Sequence, residues 1–270
     1  MKTFFSSRRN QFSKSSFGVY FLLLITLAAF LFASGSQVSL RHVLNVIRQA
    51  APLGIVAIGQ TLILLMGGID LSVGSVMTLV NIVAASVMAG KNANIGTAVA
   101  VCLALSVLIG LVNGLIIAKF RMPPFLITLA MSTIIQGGYF IYCKGSPGGS
   151  IASSFRLVSD GWIGNMVPIA MLVWLAFWGL VSFVLYRTPY GRRYYFTGGN
   201  PKAAYLSGVP TFSVTVSAYV LCSLMAGIAG LMISAFIGVA STSVGTDYTL
   251  NSIASTVIGG TSFSGGIGTL

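Results

Sequence analysis

The sequence predicts an all-α polytopic membrane protein, and three observations support this fold class. Of its 270 residues, 56% are hydrophobic and only 7% are charged, whereas a soluble domain carries about 25% charged residues. The mean hydropathy is +0.93. The apolar runs are long enough for membrane-spanning helices rather than the shorter strands of a membrane barrel. The composition therefore excludes a water-soluble enzyme as the first interpretation.

The charge balance supports the same class and predicts an orientation. The chain has 15 Lys and Arg against 3 acidic residues, a net charge of +12. Most of these cations lie in short loops between apolar runs, as the positive-inside rule describes. No basic stripe lies on a soluble domain, so we expect no nucleic-acid partner. A cytoplasmic N-terminus places twice as many Lys and Arg inside as outside, and we predict that orientation.

About eight spans are visible. An apolar run over 17–33 predicts an uncleaved first helix, with a cleaved signal peptide as the alternative. Residues 35–49 predict a short interfacial amphipathic helix with His42 on its polar face. Further spans are predicted over 50–66, 72–89, 95–118, 125–142, 166–185 and 214–237, with an eighth beginning near Leu250. Several spans are short and the chain has 32 Gly, which is typical of the Gly-broken helices that line transport cavities.

The first informative motif is Gly67-Gly68-Ile69-Asp70-Leu71-Ser72-Val73-Gly74, which joins two apolar segments with almost no polar linker. Its glycines let the backbone leave helical geometry. An acid such as Asp70 is costly beside an apolar core and is usually functional there. Asp70 caps the next helix as part of a structural turn, lies in water at the membrane interface, or contacts a substrate. Gln60, in the preceding span, is a second polar candidate.

The second motif runs from Gly259 to Gly266 and repeats the first. Both follow an apolar helix, and both have two glycines, then Leu or Phe, Ser and a final Gly at equal spacing. Gly-interrupted segments in two halves of a chain indicate a transport site, with chance similarity in a Gly-rich chain as the alternative. The predicted pathway residues are Gln60, Gly67, Gly68, Asp70, Ser72, Gly74, Gly259, Gly260, Ser264 and Gly266.

The third motif is the inside loop from Arg187 to Val209. Asn200 is a good N-cap, Pro201 suits the first helical position, and Gly208 can end the helix. We therefore predict a short capped helix over 202–207 that docks a cytosolic partner. The alternative is an ordinary loop helix held on the membrane by Arg192 and Arg193.

Enzyme chemistry is not predicted. The chain has no paired carboxylates for glycosidase chemistry and no phosphate-binding loop for ATP, so any ATP hydrolysis belongs to another chain. Cys102, Cys143 and Cys222 are scattered and His42 is the one histidine, so we predict no catalytic residue, no metal and no cofactor. Further polar candidates for a pathway or for interhelical hydrogen bonds are Gln60, Asn81, Asn113, Gln136 and Tyr139.

Together the motifs resemble the permease subunits of bacterial ABC importers for monosaccharides of the ribose, xylose and galactose type. The GGIDLSVG turn is intact at 67–74, the late glycine motif matches over 258–269, and Val209 matches the end of the cytoplasmic loop pattern. The resemblance implies that the loop over 187–209 couples the permease to an ATPase. The implied coupling residues are Gly198, Asn200, Pro201, Ala203, Ala204, Ser207 and Gly208. Lys202 and Asn251 depart from a family that often has acids near these positions.

The resemblance also implies a ten-helix subunit in the bacterial inner membrane that pairs with a second permease subunit, as a homodimer. Its other partners would be a cytosolic ATP-binding subunit and an extracytoplasmic sugar-binding protein. We therefore expect residues 1–270 to form one transmembrane permease domain, truncated at its C-terminus. The alternatives are an ion-coupled secondary transporter using Asp70, a permease for a branched-chain amino acid or autoinducer sugar, and a non-transporting membrane scaffold.

Overall fold

A computed structural model describes residues 21, 23–30, 32, 39–164 and 166–270. The predicted first span is described only at 21, 23–30 and 32, which are helical; its other residues and the N-terminus lie outside the described residues. Ten further helices follow, and we number them α1 (Leu40–Leu65), α2 (Val73–Met88), α3 (Ile95–Phe120), α4 (Pro124–Tyr142), α5 (Ser153–Asp160), α6 (Ile169–Arg187), α7 (Pro189–Gly199), α8 (Pro201–Leu206), α9 (Thr211–Ile237) and α10 (Tyr248–Ile258).

The remaining regular structure is small. A 3-10 turn over Asn92–Asn94 precedes α3. Strands β1 (Trp162–Ile163) and β2 (Val167–Pro168) form an antiparallel pair in which Trp162 lies opposite Pro168. The described part of the chain is therefore mainly helical with very little strand, as the composition predicts.

Five helices in the described ranges are long and apolar enough to span a membrane, namely α1, α3, α4, α6 and α9. Helix α2 is also apolar but has 16 residues, a length of about 24 Å against a hydrocarbon core of about 30 Å. These helices confirm the predicted all-α polytopic membrane fold.

The core lies where α9 packs against α1, α2 and α3. Glycines of α3 allow this close approach. A Cβ atom at Gly114 would lie 2.8 Å from the Cα atom of Val216, and one at Gly110 would lie 2.8 Å from the Cα atom of Val220. Small residues at such contacts let helix backbones approach in a membrane. Helix α2 is enclosed by this arrangement, so its side chains are nearly all buried.

The separate interfacial helix over 35–49 is a wrong prediction. A single helix, α1, runs from Leu40 to Leu65 and passes through Pro52. The side-chain hydroxyl oxygen of Ser39 caps this helix by accepting a hydrogen bond from the backbone amide of His42 at 3.3 Å. His42 itself is exposed. Proline inside a spanning helix is tolerated because neighbouring groups satisfy the freed backbone. The amphipathic segment is therefore the exposed beginning of a span.

The predicted eighth span begins near Leu250 as expected, but it is too short to be a complete membrane-spanning helix. Helix α10 has only 11 residues, and the preceding residues 238–247 are not helical. Those residues lie along α2, where the amide of Ser241 donates to Asn81 Oδ1 at 2.7 Å and that of Gly245 donates to Thr78 Oγ1 at 3.0 Å. Polar side chains of α2 thus satisfy the irregular backbone, which a membrane core requires. This is a broken helix of the predicted kind.

Candidate functional site

The turn over 67–74, here the first glycine turn, connects α1 to α2 and is built around Asp70. Gly67 has a φ of +73°, and a Cβ atom at Gly68 would lie 2.7 Å from the hydroxyl of Tyr219. Asp70 is fully buried. Its Oδ1 atom accepts the backbone amide of Ser72 at 2.8 Å and the Ser72 hydroxyl at 2.6 Å. Asp70 therefore closes the turn immediately before α2 begins.

Ser72 extends this arrangement to neighbouring helices. Its hydroxyl accepts a hydrogen bond from Asn113 of α3 at 3.1 Å. Thr128 of α4 accepts the backbone amide of Leu71 at 3.1 Å. A buried polar network thus joins the first glycine turn to α3 and α4. Such networks make the position of each member depend on the others.

Several buried polar atoms near this turn have no hydrogen-bond partner among the described residues. They include Asp70 Oδ2, Asn113 Oδ1 and Gln60 Nε2. The other end of the Gln60 amide accepts from the Cys222 thiol at 3.7 Å. The ion pairs found in the described ranges both use Asp160 rather than Asp70. The Asp70 carboxyl group is therefore held by hydrogen bonds, without a basic partner among the described residues.

The predicted second motif, residues 259–266, forms the second glycine turn after α10. Gly260, Gly265 and Gly266 all have positive φ, at +99°, +75° and +70°. Gly259 is exposed, as is its counterpart Gly67, but Ser264 is exposed whereas its counterpart Ser72 is buried. The amide of Gly266 donates to the carbonyl oxygen of Leu65, at the end of α1, at 2.7 Å. The structure therefore brings the two predicted turns together.

The third motif reaches the same place. A Cβ atom at Gly198, in the last turn of α7, would clash with the carbonyl oxygen of Leu65 and would lie 2.8 Å from the amide nitrogen of Gly266. One at Gly265 would lie 2.9 Å from the amide nitrogen of Gly67. We call Leu65, Gly67, Gly198, Gly265 and Gly266 the glycine junction. At this junction three sequence motifs meet backbone to backbone.

Tyr195 adds a side-chain contact beside the glycine junction. Its hydroxyl donates to the carbonyl oxygen of Gly268 at 3.0 Å. The ordinary pKa of tyrosine already lies well above physiological pH, and burial raises the pKa of Tyr195 further, so its phenol is a neutral hydrogen-bond donor. Helix α7 is therefore joined to the second glycine turn by a side chain as well as by close backbone packing.

The capped loop helix is confirmed as α8, at 201–206. Asn200 Oδ1 accepts the amide of Ala203 at 3.0 Å, Pro201 is the first helical residue, and Gly208 has a φ of +80°. Ala204 is 5% exposed. The neighbouring coupling-loop residues Ala203 and Ser207 are exposed. Helix α8 is thus a short helix that is capped at both ends and exposed except at Ala204.

Helix α7 was not predicted. Thr188 caps it by accepting the amide of Gly191, and Pro189 is its first residue. This Thr-Pro pair is a helix-start signal that could have identified the helix from the sequence. Of its two arginines, Arg192 is exposed and Arg193 is half-buried. The loop over 187–209 therefore contains two consecutive helices.

A second polar region follows the contact between α2 and α4, which we call the α2–α4 seam. Ser75 and Ser132 share a hydrogen bond of 2.7 Å, and Gln136 Nε2 lies 3.3 Å from the hydroxyl of each. Nearer the other end of α4, Ser86 and Tyr142 share a hydrogen bond of 2.9 Å. The seam was not recognised from the sequence, although Thr128, Ser132 and Gln136 recur every fourth residue, which places them on one helix face.

The five polar candidates from the sequence differ in burial: four are buried and one is exposed. Gln60, Asn81 and Asn113 are fully buried, and their hydrogen bonds lead to other elements of the same bundle. Tyr139 is 5% exposed. Gln136 alone of the five is exposed. Within the described ranges, no three His, Cys, Asp or Glu side chains are close enough to hold a metal ion.

Comparison with known proteins identifies the family. A family model described as branched-chain amino acid transport system / permease component matches residues 42–270. The ribose import permease protein of Escherichia coli (strain K12) is 37% identical over 256 residues, which cover 91% of this chain and 77% of that protein. The ribose import permease protein of Bacillus subtilis (strain 168) is 36% identical over 239 residues, 84% of this chain and 70% of that protein.

A galactose/methyl galactoside import permease protein, from Salmonella typhimurium (strain LT2), is 32% identical over 272 residues, 94% of this chain and 80% of that protein. No solved structure matches the chain. The family model covers most of the chain, and the two glycine turns and the loop helices all lie inside the matched range. The chain therefore belongs to the family of transport-system permease components, the membrane-spanning and non-enzymatic parts of inner-membrane importers.

Proposed function

We propose that this chain is the permease subunit of an ATP-driven importer that translocates a monosaccharide by alternating access. The glycine junction is the observation that carries the proposal. It joins the loop helices to both glycine turns through backbone contacts. Close-packed backbone transmits displacement rather than absorbing it. A force applied to the loop is therefore delivered to the turns inside the bundle.

The substrate class follows from the relatives and from the polar groups. The similar proteins are named as ribose and galactose/methyl galactoside import permeases. The first glycine turn and the α2–α4 seam offer hydroxyls and amides, which suit the hydroxyl groups of a neutral sugar. A branched-chain amino acid carries an ammonium and a carboxylate group, and the side chains that hydrogen-bond along the α2–α4 seam are all uncharged. We therefore favour a monosaccharide over an amino acid.

The ATP-binding partner docks on the loop helices. Tyr205 and Leu206 of α8 are 69% and 76% exposed, and large exposed apolar side chains clustered on one element are typical of an interaction site. Asn200 and Gly208 fix the two ends of this helix. The proposed coupling residues are Gly198, Asn200, Pro201, Ala203, Ala204, Ser207 and Gly208.

The docking surface has a direct test. Ala204→Glu introduces a charge at a buried position of α8, and Gly208→Pro removes the positive φ that ends the helix. We expect both changes to abolish ATP-dependent uptake while the protein still inserts in the membrane, as measured by sugar uptake and by membrane fractionation. Normal uptake by both variants would contradict the docking role.

The glycine turns form the inner end of the pathway in this proposal. Gln60, Asp70 and Ser72 are fully buried, so they reach a sugar only when the helices around them separate. Exposed Gly259 and Ser264 mark the side from which that separation begins. The proposed pathway residues are Gln60, Gly67, Gly68, Asp70, Ser72, Gly74, Gly259, Gly260, Ser264 and Gly266.

Two further partners complete the proposal. An extracytoplasmic sugar-binding protein delivers the substrate, and a second copy of the permease closes the other side of the pathway. The exposed side of α4 supports a second copy, because a Cβ atom at Gly137 or Gly138 would have no neighbour within 4 Å. Such open small residues permit close helix packing between subunits.

The first experiment is a mild-detergent purification of the full-length protein from its native membrane, followed by mass spectrometry. We expect a stoichiometric ATPase and a sugar-binding protein to co-purify. A preparation without an ATPase that still transports a solute would contradict the proposal. It would favour an ion-coupled transporter that uses Asp70, since such coupling needs an ionisable group in the membrane.

A further inference from the structure

The α2–α4 seam ends in a cleft that the function above does not explain. The cleft has a volume of about 470 Å³ and is lined by Ile82, Ser86, Tyr142, Cys143, Gly148 and Gly149. Small-molecule sites have volumes of about 300–1,000 Å³. Every lining residue is uncharged, and the set combines an aromatic ring, two polar hydroxyls and small residues. This composition suits a neutral polar ligand.

The walls of the cleft are built from well-fixed elements. Ser86 and Tyr142 are joined by their 2.9 Å hydrogen bond. Gly149 has a φ of +106°, and a Cβ atom there would clash with the carbonyl oxygen of Ala85. The adjacent carbonyl oxygen of Ser150 accepts the amide of Gly90 at 2.9 Å. The loop after α4 is therefore held directly on α2, so that the cleft keeps its shape.

Below the cleft, the seam leads to a second polar group. Ser75 precedes Ser86 by 11 residues in α2, a distance of about 16 Å along the helix. There Gln136 bonds Ser75 and Ser132 through Nε2 and is exposed. A polar side chain exposed on an apolar span is unfavourable against lipid. The face that carries Gln136 therefore belongs against water, substrate or protein.

We propose that the α2–α4 seam is the sugar-contacting wall of the permease. Ser86 and Tyr142 form an outer site for a neutral monosaccharide, and Gln136 forms an inner one. Tyr139 and Ile82, which are 5% and 1% exposed, separate the two sites as an apolar constriction. This inference rests on the proposed function, because it names the residues that touch the imported sugar.

A native cysteine provides the test. Cys143 lines the cleft and is half-buried, whereas Cys102 and Cys222 are fully buried. The full-length permease is assembled with its partner subunits in proteoliposomes and treated with a membrane-impermeant maleimide. The probes are ribose and galactose, with leucine as the charged control. We expect labelling at Cys143 that saturating ribose or galactose slows at least about fivefold, and no protection by leucine.

Substitutions locate the contacts. The double variant Ser86→Ala and Tyr142→Phe removes two exposed hydroxyls, and we expect it to abolish sugar protection of Cys143 and to raise the KM of uptake at least about tenfold. Gln136→Leu is expected to lower uptake while protection in the outer cleft persists. Thr133→Val is the matched control on α4, because the Thr133 hydroxyl is exposed and bonds only the carbonyl oxygen of Leu129, within its own helix. It should leave both measurements unchanged.

The outcomes distinguish this inference from the proposed function. Unprotected Cys143 in a preparation that imports ribose or galactose would overturn the seam and leave the importer intact. Protection without ATP-dependent uptake would support the seam and count against the importer. Equal effects of the double variant and of Thr133→Val on protection would also overturn the assignment of Ser86 and Tyr142.

Discussion

The two glycine turns have the same sequence pattern but different structural environments. In the first turn, Asp70 and Ser72 are fully buried and hydrogen-bonded to each other. In the second, Ser264 is exposed and Phe263 is 52% exposed. The difference shows that the pattern supplies a backbone able to turn, whereas the neighbouring helices decide whether the turn is enclosed.

The backbone conformations also differ at equivalent glycines. Gly67, the first of its pair, has a positive φ in the first turn, whereas Gly260, the second of its pair, has a positive φ in the second turn. Asp70 in one turn corresponds to Ser262 in the other, where the Ser262 hydroxyl accepts only the amide of Ser264, at 3.2 Å. We therefore regard the first turn as the fixed element and the second as the movable one.

The largest effect is expected where both turns meet α7. Gly198→Ala places a methyl group against the backbone of Leu65 and Gly266, and we expect a destabilisation of about 3 kcal/mol or more together with loss of uptake. Thermal inactivation in detergent and sugar uptake measure these effects. Gly199→Ala is the matched control, since a Cβ atom at Gly199 has no neighbour within 4 Å. Similar losses in both variants would show that the effect of Gly198→Ala does not arise from the close contacts at the glycine junction.

The next effect tests the enclosed turn. Asp70→Leu leaves the amide and hydroxyl of Ser72 without their acceptor in a buried site, which we expect to cost about 2–3 kcal/mol and to lower the thermal inactivation midpoint. Asp70→Asn retains an acceptor oxygen and is expected to keep ATP-dependent uptake. If Asp70→Asn abolishes uptake and the unsubstituted protein transports without ATP, the two results together would instead indicate ion coupling.

A smaller effect is expected in the second turn. Gly260 has a φ of +99° but open space around its Cβ position, so Gly260→Ala adds backbone strain of about 1–2 kcal/mol without a clash. We expect uptake to slow more than stability falls, since the strain acts on the movable turn. This is tested by comparing uptake rates with thermal inactivation midpoints. If uptake falls only in proportion to stability, the second turn is as rigid as the first.

The smallest effect is expected at the counterpart of Asp70. Ser262→Ala removes a hydroxyl from a partly exposed turn, and such surface changes are usually within about 0.5 kcal/mol. Its inactivation midpoint should match that of the unsubstituted protein. A loss as large as that of Asp70→Leu would show that the two turns are equivalent after all.

Sequence reasoning predicted much of the fold because the relevant signals are local. Apolar length predicts a spanning helix from its own residues, and the caps at Asn200 and Gly208 lie within a few residues of the helix that they end. The same local signals were incomplete at Pro52, where tertiary packing lets α1 continue. They were overlooked at Thr188 and Pro189, where α7 begins.

The candidate site was predicted in its parts but not in its assembly. The residues around Asp70 and Gly198 were identified separately, and nothing in their spacing places Gly198 against Leu65. Likewise, Ser86 and Tyr142 are 56 residues apart, so their shared cleft has no local signature. Such contacts depend on how α2, α4 and α7 pack.

By itself, the sequence determined the membrane environment, the positions of most spans and the places where the backbone leaves helical geometry. These properties follow from hydrophobic length and from glycine, proline and capping residues close in the chain. Only the tertiary structure decided which glycine turn is buried, which polar groups stay exposed and which three motifs share a junction. Those outcomes depend on contacts between residues far apart in sequence, and helix packing creates them.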